Sequence, residues 1–121
     1  MDKGKILSYS GDRNVLIQRE RALRRSGFEI VSVESESQAR FEIEMGRCGI
    51  LLICFRTHPE KTREMAELFR KNCREGSIIF VMNQSPDRAP HGVDYIVPES
   101  GGPEAIVDAL RSGREFLPKA S

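Results

Sequence analysis

Gly49-Ile50-Leu51-Leu52-Ile53-Cys54-Phe55 is an uncharged run closed by the polar turn Arg56-Thr57-His58-Pro59. Its four consecutive branched aliphatic residues are too few for a buried helix and read as a strand covered on both faces, the signature of a central strand in a parallel sheet. In open α/β sheets, ligands and chemistry gather beyond the carboxyl ends of such strands. Cys54 and Phe55 therefore stand where function is to be sought, and the sequence puts a thiol there and no carboxylate.

Downstream, Thr57-x-x-Glu60 is a capping-box pattern that predicts a helix through Lys71 with Met65, Leu68 and Phe69 on its inner face, ended by Gly76. Ser77-Ile78-Ile79-Phe80-Val81-Met82 is a second apolar run and a second buried strand. From Asn83 to Gly92 the breakers Pro86, Pro90 and Gly92 leave room for one helical turn at most, so this crossover is expected to be irregular. Asp94 to Pro98 reads as a short strand. Ser100-Gly101-Gly102-Pro103-Glu104 opens a last helix with inner residues Ile106, Val107 and Leu110, closed by Phe116-Leu117-Pro118.

Upstream, Lys5 to Tyr9 is β-prone and runs into the turn and cap residues Ser10-Gly11-Asp12. Val15, Leu16, Ala22 and Leu23 recur at helical spacing up to Arg25, and Gly27 stops the pattern as a C′ residue would. Phe28 to Val33 is a further strand, with Phe28 and Ile30 on one face and Val31 and Val33 on the other. Ser35-Glu36-Ser37-Gln38 has the form of a capping box before a segment to Gly46 whose apolar residues fit two periods. Ala39 with Ile43, or Phe41 with Met45, pair as on a helix, while Phe41, Ile43 and Met45 alternate as on a strand. The capping box and the need for a crossover between parallel strands favour a helix.

The 121 residues suit one domain spanning 1–121, with a core at about 5–114 and a frayed tail. With 39% hydrophobic and 31% charged residues, the chain can fill one core beneath a well-solvated surface. A net charge of +1 excludes a global demand for nucleic acid or an anionic membrane. The start has no signal-peptide core and no run of roughly 20 apolar residues. Three cysteines without metal-type pairing fit reduced thiols, and the expected location is cytoplasmic. Five strands alternating with helices predict an α/β, three-layer, flavodoxin-like (βα)5 sandwich of sheet order 2-1-3-4-5, with the fourth helix short or irregular.

Three candidate sites have plainer explanations. Ser10-Gly11-Asp12 could hold an anion at a helix N-terminus, but no phosphate-loop glycine pattern accompanies it, and N-capping accounts for the same residues. His58 and His91 stand alone in loops without partners at metal-ligand spacing. Arg13, Arg19, Arg21, Arg24 and Arg25 concentrate positive charge on the first helix, where a solvated face is expected, and no aromatic residues interleave to stack on bases.

The order of the elements resembles the receiver domain of two-component response regulators over Lys5 to about Arg114. The resemblance rests on Lys5-Ile6-Leu7, on the junction Leu23-Arg24-Arg25-Ser26-Gly27-Phe28-Glu29-Ile30, on Ile50-Leu51-Leu52-Ile53-Cys54 and on Asp94-Tyr95-Ile96-Val97-Pro98. Receivers move a phosphoryl group onto an aspartate ending the third strand, beside Mg²⁺ held by an acidic pair after the first. Carried over, the acidic pair falls on Ser10 and Gly11, with Asp12 the one carboxylate nearby, and the phosphoacceptor falls on Cys54. The switch hydroxyl falls on Met82, or on Asn83 with a one-residue slip, and the lysine after the fifth strand on Pro98.

The resemblance thus implies a degenerate receiver that is not an enzyme, takes no cofactor or metal and acts on a protein partner or as a homodimer. The partner surface would include Arg88, Pro90, His91 and Tyr95. The competing expectations are a flavodoxin-like domain binding a small ligand or nucleotide, and a receiver active through an unconventional site.

Overall fold

The computed structural model describes residues 5–54, 57–83 and 92–112. Its elements in chain order are β1 (Ile6–Tyr9), α1 (Arg13–Arg25), β2 (Ile30–Val33), α2 (Glu36–Met45), β3 (Ile50–Cys54), α3 (Pro59–Asn72), β4 (Ser77–Met82), β5 (Tyr95–Pro98) and α4 (Gly102–Ser112), the last preceded by a 3₁₀ turn at Glu99–Gly101. The five strands form one sheet in the order β2-β1-β3-β4-β5. Every pairing is parallel, with Leu51 of β3 set between Leu7 of β1 and Ile78 of β4. This is the expected flavodoxin-like arrangement. The expected irregular fourth helix falls on residues 84–91, and Phe116 to Pro118 beyond 112, both outside the described residues.

Because side chains alternate along a strand, β3 feeds two cores. Leu51 and Ile53 join Leu7, Val33, Ile78 and Phe80 beneath α2 and α3, against Ala39, Ile43, Met65, Ala66 and Phe69. Leu52 and Cys54 join Ile6, Ile30, Ile79, Val81 and Val97 beneath α1 and α4, against Leu23, Ile106, Val107 and Ala109. The side chains of β3 from Leu51 to Cys54 have no solvent exposure. Burying an aliphatic side chain contributes about 1.5–3 kcal/mol, so this strand anchors both layers.

Local chemistry sets the helix ends. Asp12 caps α1, and the helix stops in a Schellman motif: Phe28 N–H donates to Leu23 O (3.0 Å) and Gly27 N–H to Arg24 O (3.0 Å), with Gly27 at φ +96°. Ser35 caps α2 by accepting from Gln38 N–H at 3.2 Å. The two-period ambiguity there resolves as a helix that buries Ala39 and Ile43 and leaves Phe41 and Met45 exposed.

Three expectations need correction. Thr57 does not cap α3; His58 does, its Nδ1 accepting from Glu60 N–H at 3.1 Å. A residue before proline is driven out of helical geometry, and Pro59 suits the first helical position, so the boundary falls between them. β2 begins at Ile30 and β5 at Tyr95, each later than the apolar run suggests. At β5 the reason is visible: the Asp94 carboxylate accepts from Ile78 N–H (2.7 Å) and from Arg70 of α3, tying that corner by its side chain. Finally, Arg19 does not share a solvated face with Arg21, Arg24 and Arg25; it is buried in the same stripe of α1 as Leu16 and Leu23.

Candidate functional site

Parallel βα units bring every strand's carboxyl end and every following helix's N-terminus to one rim. Ser10, Gly11 and Asp12, after β1, therefore lie on the same rim as Cys54, Met82 and Pro98, at the ends of β3, β4 and β5.

At the β1–α1 turn Ser10 Oγ and Asp12 Oδ1 accept from backbone N–H groups. Ser10 has no solvent exposure; its N–H donates to Val33 O (3.3 Å) and its Oγ accepts from Asp12 N–H (3.1 Å). Asp12 Oδ1 accepts from Asn14 N–H (3.0 Å) and Val15 N–H (3.4 Å), satisfying two of the orphan donors at the start of α1. Gly11 is exposed, and a Cβ built on it would meet nothing within 4 Å. The turn is a well-made N-cap.

Cys54 is a free thiol with no exposure, packed among the aliphatic residues under α1 and α4; its carbonyl accepts from Thr57 N–H at 3.0 Å. Met82 is buried and Asn83 and Pro98 are exposed. Tyr95 is half-buried against the α1 and α4 core, whereas Arg88, Pro90 and His91 lie outside the described residues. Among the described residues no cluster of three or more His, Cys, Asp or Glu side chains could hold a metal ion, and no helix is long and apolar enough to cross a membrane.

The charged group on this rim escaped the sequence reading. Lys61 Nζ pairs with Glu36 Oε1 at 2.7 Å, and Arg40 bridges Glu36 (3.0 Å) to Glu64 (3.1 Å), linking the N-terminal turns of α2 and α3. Hydrogen bonds from Lys61, then Arg40, hold the Glu36 carboxyl below its ordinary value, and Glu36 in turn raises Lys61. Tyr9, at the end of β1, has its phenol raised first by burial and next by the Glu36 charge, against a lowering by Lys61. The available signal was positional: both Glu36 and Lys61 fall in the first turn of a helix that follows a strand, and such turns converge.

No protein-family model matches the sequence, and neither does any curated protein. Solved structures match over most of their length. The chemotaxis response regulator CheY4 of Vibrio cholerae superposes with a TM-score of 0.78 at 14% identity, covering 90% of this chain and 97% of that one. The response regulator TrrA of Thermotoga maritima, in complex with Mg²⁺ and BeF, gives 0.77 at 19% identity over 93% and 98%. A de novo designed Rossmann 2x3 protein also gives 0.69 at 9% identity over 97% of each chain. At these identities the likeness establishes the fold, which a designed sequence reaches too, and function has to come from the site.

Proposed function

We propose that this chain is a degenerate, receiver-like protein-interaction module of bacterial two-component signalling, cytoplasmic and working by contact with a protein partner or a second copy, without aspartyl phosphorylation. The receiver fold itself suggests a signalling domain of a generally non-enzymatic kind. The observation that carries the finer reading is Cys54. It ends β3, where receivers hold the phosphoacceptor, and its side chain is wholly enclosed in the α1–α4 core. A thiol buried among aliphatic side chains serves as a small apolar filler.

The neighbouring donors offer Mg²⁺ few ligands. That ion takes hard oxygen ligands in near-octahedral geometry, commonly one or two carboxylates with waters and phosphate oxygens. Here the one carboxylate at the β1–α1 turn already accepts two backbone N–H groups, and Ser10 Oγ accepts a third. Pro98 replaces the lysine that would offset phosphoryl charge, and Lys61 is engaged by Glu36. Adding beryllofluoride with Mg²⁺ and following amide shifts tests the reading. No saturable shifts should cluster around Asp12 and Cys54; such a cluster would overturn it and favour an unconventional active receiver.

A small-ligand flavodoxin-like domain is the second reading, favoured by one observation, a cavity of about 200 Å³ between α1 and α4. A concentration-dependent rise in melting temperature with nucleotides or flavins would support it.

A further inference from the structure

Three large hydrophobic side chains are left exposed among the described residues: Ile17 at 42% on α1, and Phe41 at 56% and Met45 at 51% on α2. The inward stripes of both helices already serve the cores, through Leu16 and Leu23 of α1 and Ala39 and Ile43 of α2. The exposed residues therefore form outward faces. Ile17, Arg21 and Arg25 follow one another along α1 at four-residue spacing, all exposed, and Phe41, Glu44 and Met45 share one exposed face of α2.

The two faces differ in charge. α1 carries five basic residues to one acidic, and α2 three acidic to one basic. Local pairing leaves this difference in place. Glu20, the one acid of α1, binds Arg24 and Ser32, and Arg40, the one base of α2, is shared between Glu36 and Glu64. Arg21, Arg25 and Glu44 make no ion pair among the described residues. The faces also lie on opposite layers of the sheet, α1 with α4 and α2 with α3, so one copy cannot join its own α1 to its own α2. Between copies, α1 on α1 would set arginine against arginine, and α2 on α2 glutamate against glutamate. Only α1 on α2 brings opposite charges together and covers all three apolar side chains.

We propose that these faces bind a second copy of this chain, α1 of one copy packing on α2 of the next. Ile17 enters the groove between Phe41 and Met45, which stand about 6 Å apart along α2, and Arg21, one turn along α1, reaches Glu44. The contact is heterologous, so each pair still presents one α1 and one α2 face to a further copy. A single helix pair covers less than the roughly 1,600 Å² of a standard interface, so association is weak and belongs to protein concentrations of roughly 0.1–1 mM. The contact rests on the interaction-module reading and gives that module its partner. It uses no residue of the strand-end rim, so a beryllofluoride result against the degenerate site leaves it standing, and a monomeric chain would leave the absence of phosphorylation untouched.

Sedimentation velocity of the intact chain between about 0.05 and 1 mM, at about 50 mM and about 500 mM NaCl, is the test. The average mass should rise with concentration at low salt and rise less at high salt, and amide shifts on dilution should map to Ile17, Arg21, Phe41 and Glu44. Phe41→Ser, Arg21→Glu and Glu44→Arg alter exposed side chains and should each weaken association about tenfold. Arg21→Glu combined with Glu44→Arg should restore it, and so should an equimolar mixture of the two single variants. The proposal fails if the chain stays monomeric at about 1 mM, if the reversed pair associates no better than either single variant, or if the dilution shifts map elsewhere. A chain that stays monomeric while an acidic helical peptide saturates shifts on α1 would give that face to a different partner and overturn it as well.

Discussion

Under the proposed reading, Cys54→Asp would place a carboxylate at the end of β3, and the structure gives the expected consequence. Cys54 pairs with Val81 and lies in a cluster with Leu52, Ile79, Val97 and Ile106, with no solvent exposure. A carboxyl group enclosed there stays protonated. Holding an acid of unfolded pKa about 3.9 in its neutral form at pH 7 costs about 4 kcal/mol, at 1.36 kcal/mol per unit. The neutral group still leaves hydrogen bonds unmade, which adds about 1–3 kcal/mol. The sum, about 5–7 kcal/mol, is comparable with the whole stability of a small domain, about 5–15 kcal/mol.

The sign with pH is definite. The folded acid binds a proton that the unfolded chain has released, so stability relative to wild type should fall by about 1.4 kcal/mol per unit as pH rises above about 4. Cys54→Ser should be destabilised by about 1–3 kcal/mol with no such slope. Urea unfolding of both variants between about pH 4 and pH 7, with and without Mg²⁺, reads all of this. The reasoning is refuted if Cys54→Asp lies within about 1 kcal/mol of wild type at pH 7, a margin well under the 1.36 kcal/mol of one pKa unit, or if millimolar Mg²⁺ restores its stability. Either result would mean that the new carboxylate reaches water and a cation, and that the rim is a working metal site.

Two further outcomes follow from the packing and the charges. At Gly76 a Cβ would stand 2.7 Å from both the Phe69 ring and Cys73 Sγ. Phe69 is buried to 1% exposure and has no room to retreat, so Gly76→Ala should lose about 1–3 kcal/mol by overpacking; an unchanged melting temperature would show that the α3–β4 corner is loose. Glu20 is held below its ordinary value of 4.5 first by Ser32 and then by Arg24, and Glu36 by Lys61 and Arg40. Carboxyls lowered in the folded state contribute stability that is complete above about pH 4.5 and is lost as pH falls through their lowered values. The double variant Glu20→Gln, Glu36→Gln should accordingly show a smaller loss of urea midpoint on acidification, and an acid limb as steep as wild type would assign that loss to other groups.

Much of the fold was legible in the chain because it is written in short-range chemistry. Ile50 to Ile53 and Ile78 to Met82 need cover on both faces, which implies a central parallel pair. Asp12, Ser35 and Gly27 act within a few residues of themselves, through caps and a left-handed turn. His58 shows the limit of motif reading: Thr57-x-x-Glu60 satisfied a pattern, but the backbone restriction imposed by Pro59 decided which residue capped the helix.

What the tertiary structure decided is how distant residues share space. By periodicity alone Phe41 and Met45 competed equally with Ala39 and Ile43 for the inside of α2, and packing against α3 chose the smaller pair. Glu36 and Lys61 lie 25 positions apart and become partners because two crossover helices begin on one rim. Arg19 reads in sequence as one more basic residue in a charged helix. Its burial depends on α4, which arrives some eighty residues later, closes over α1 and leaves a side chain that reads as a surface cation only 5% exposed.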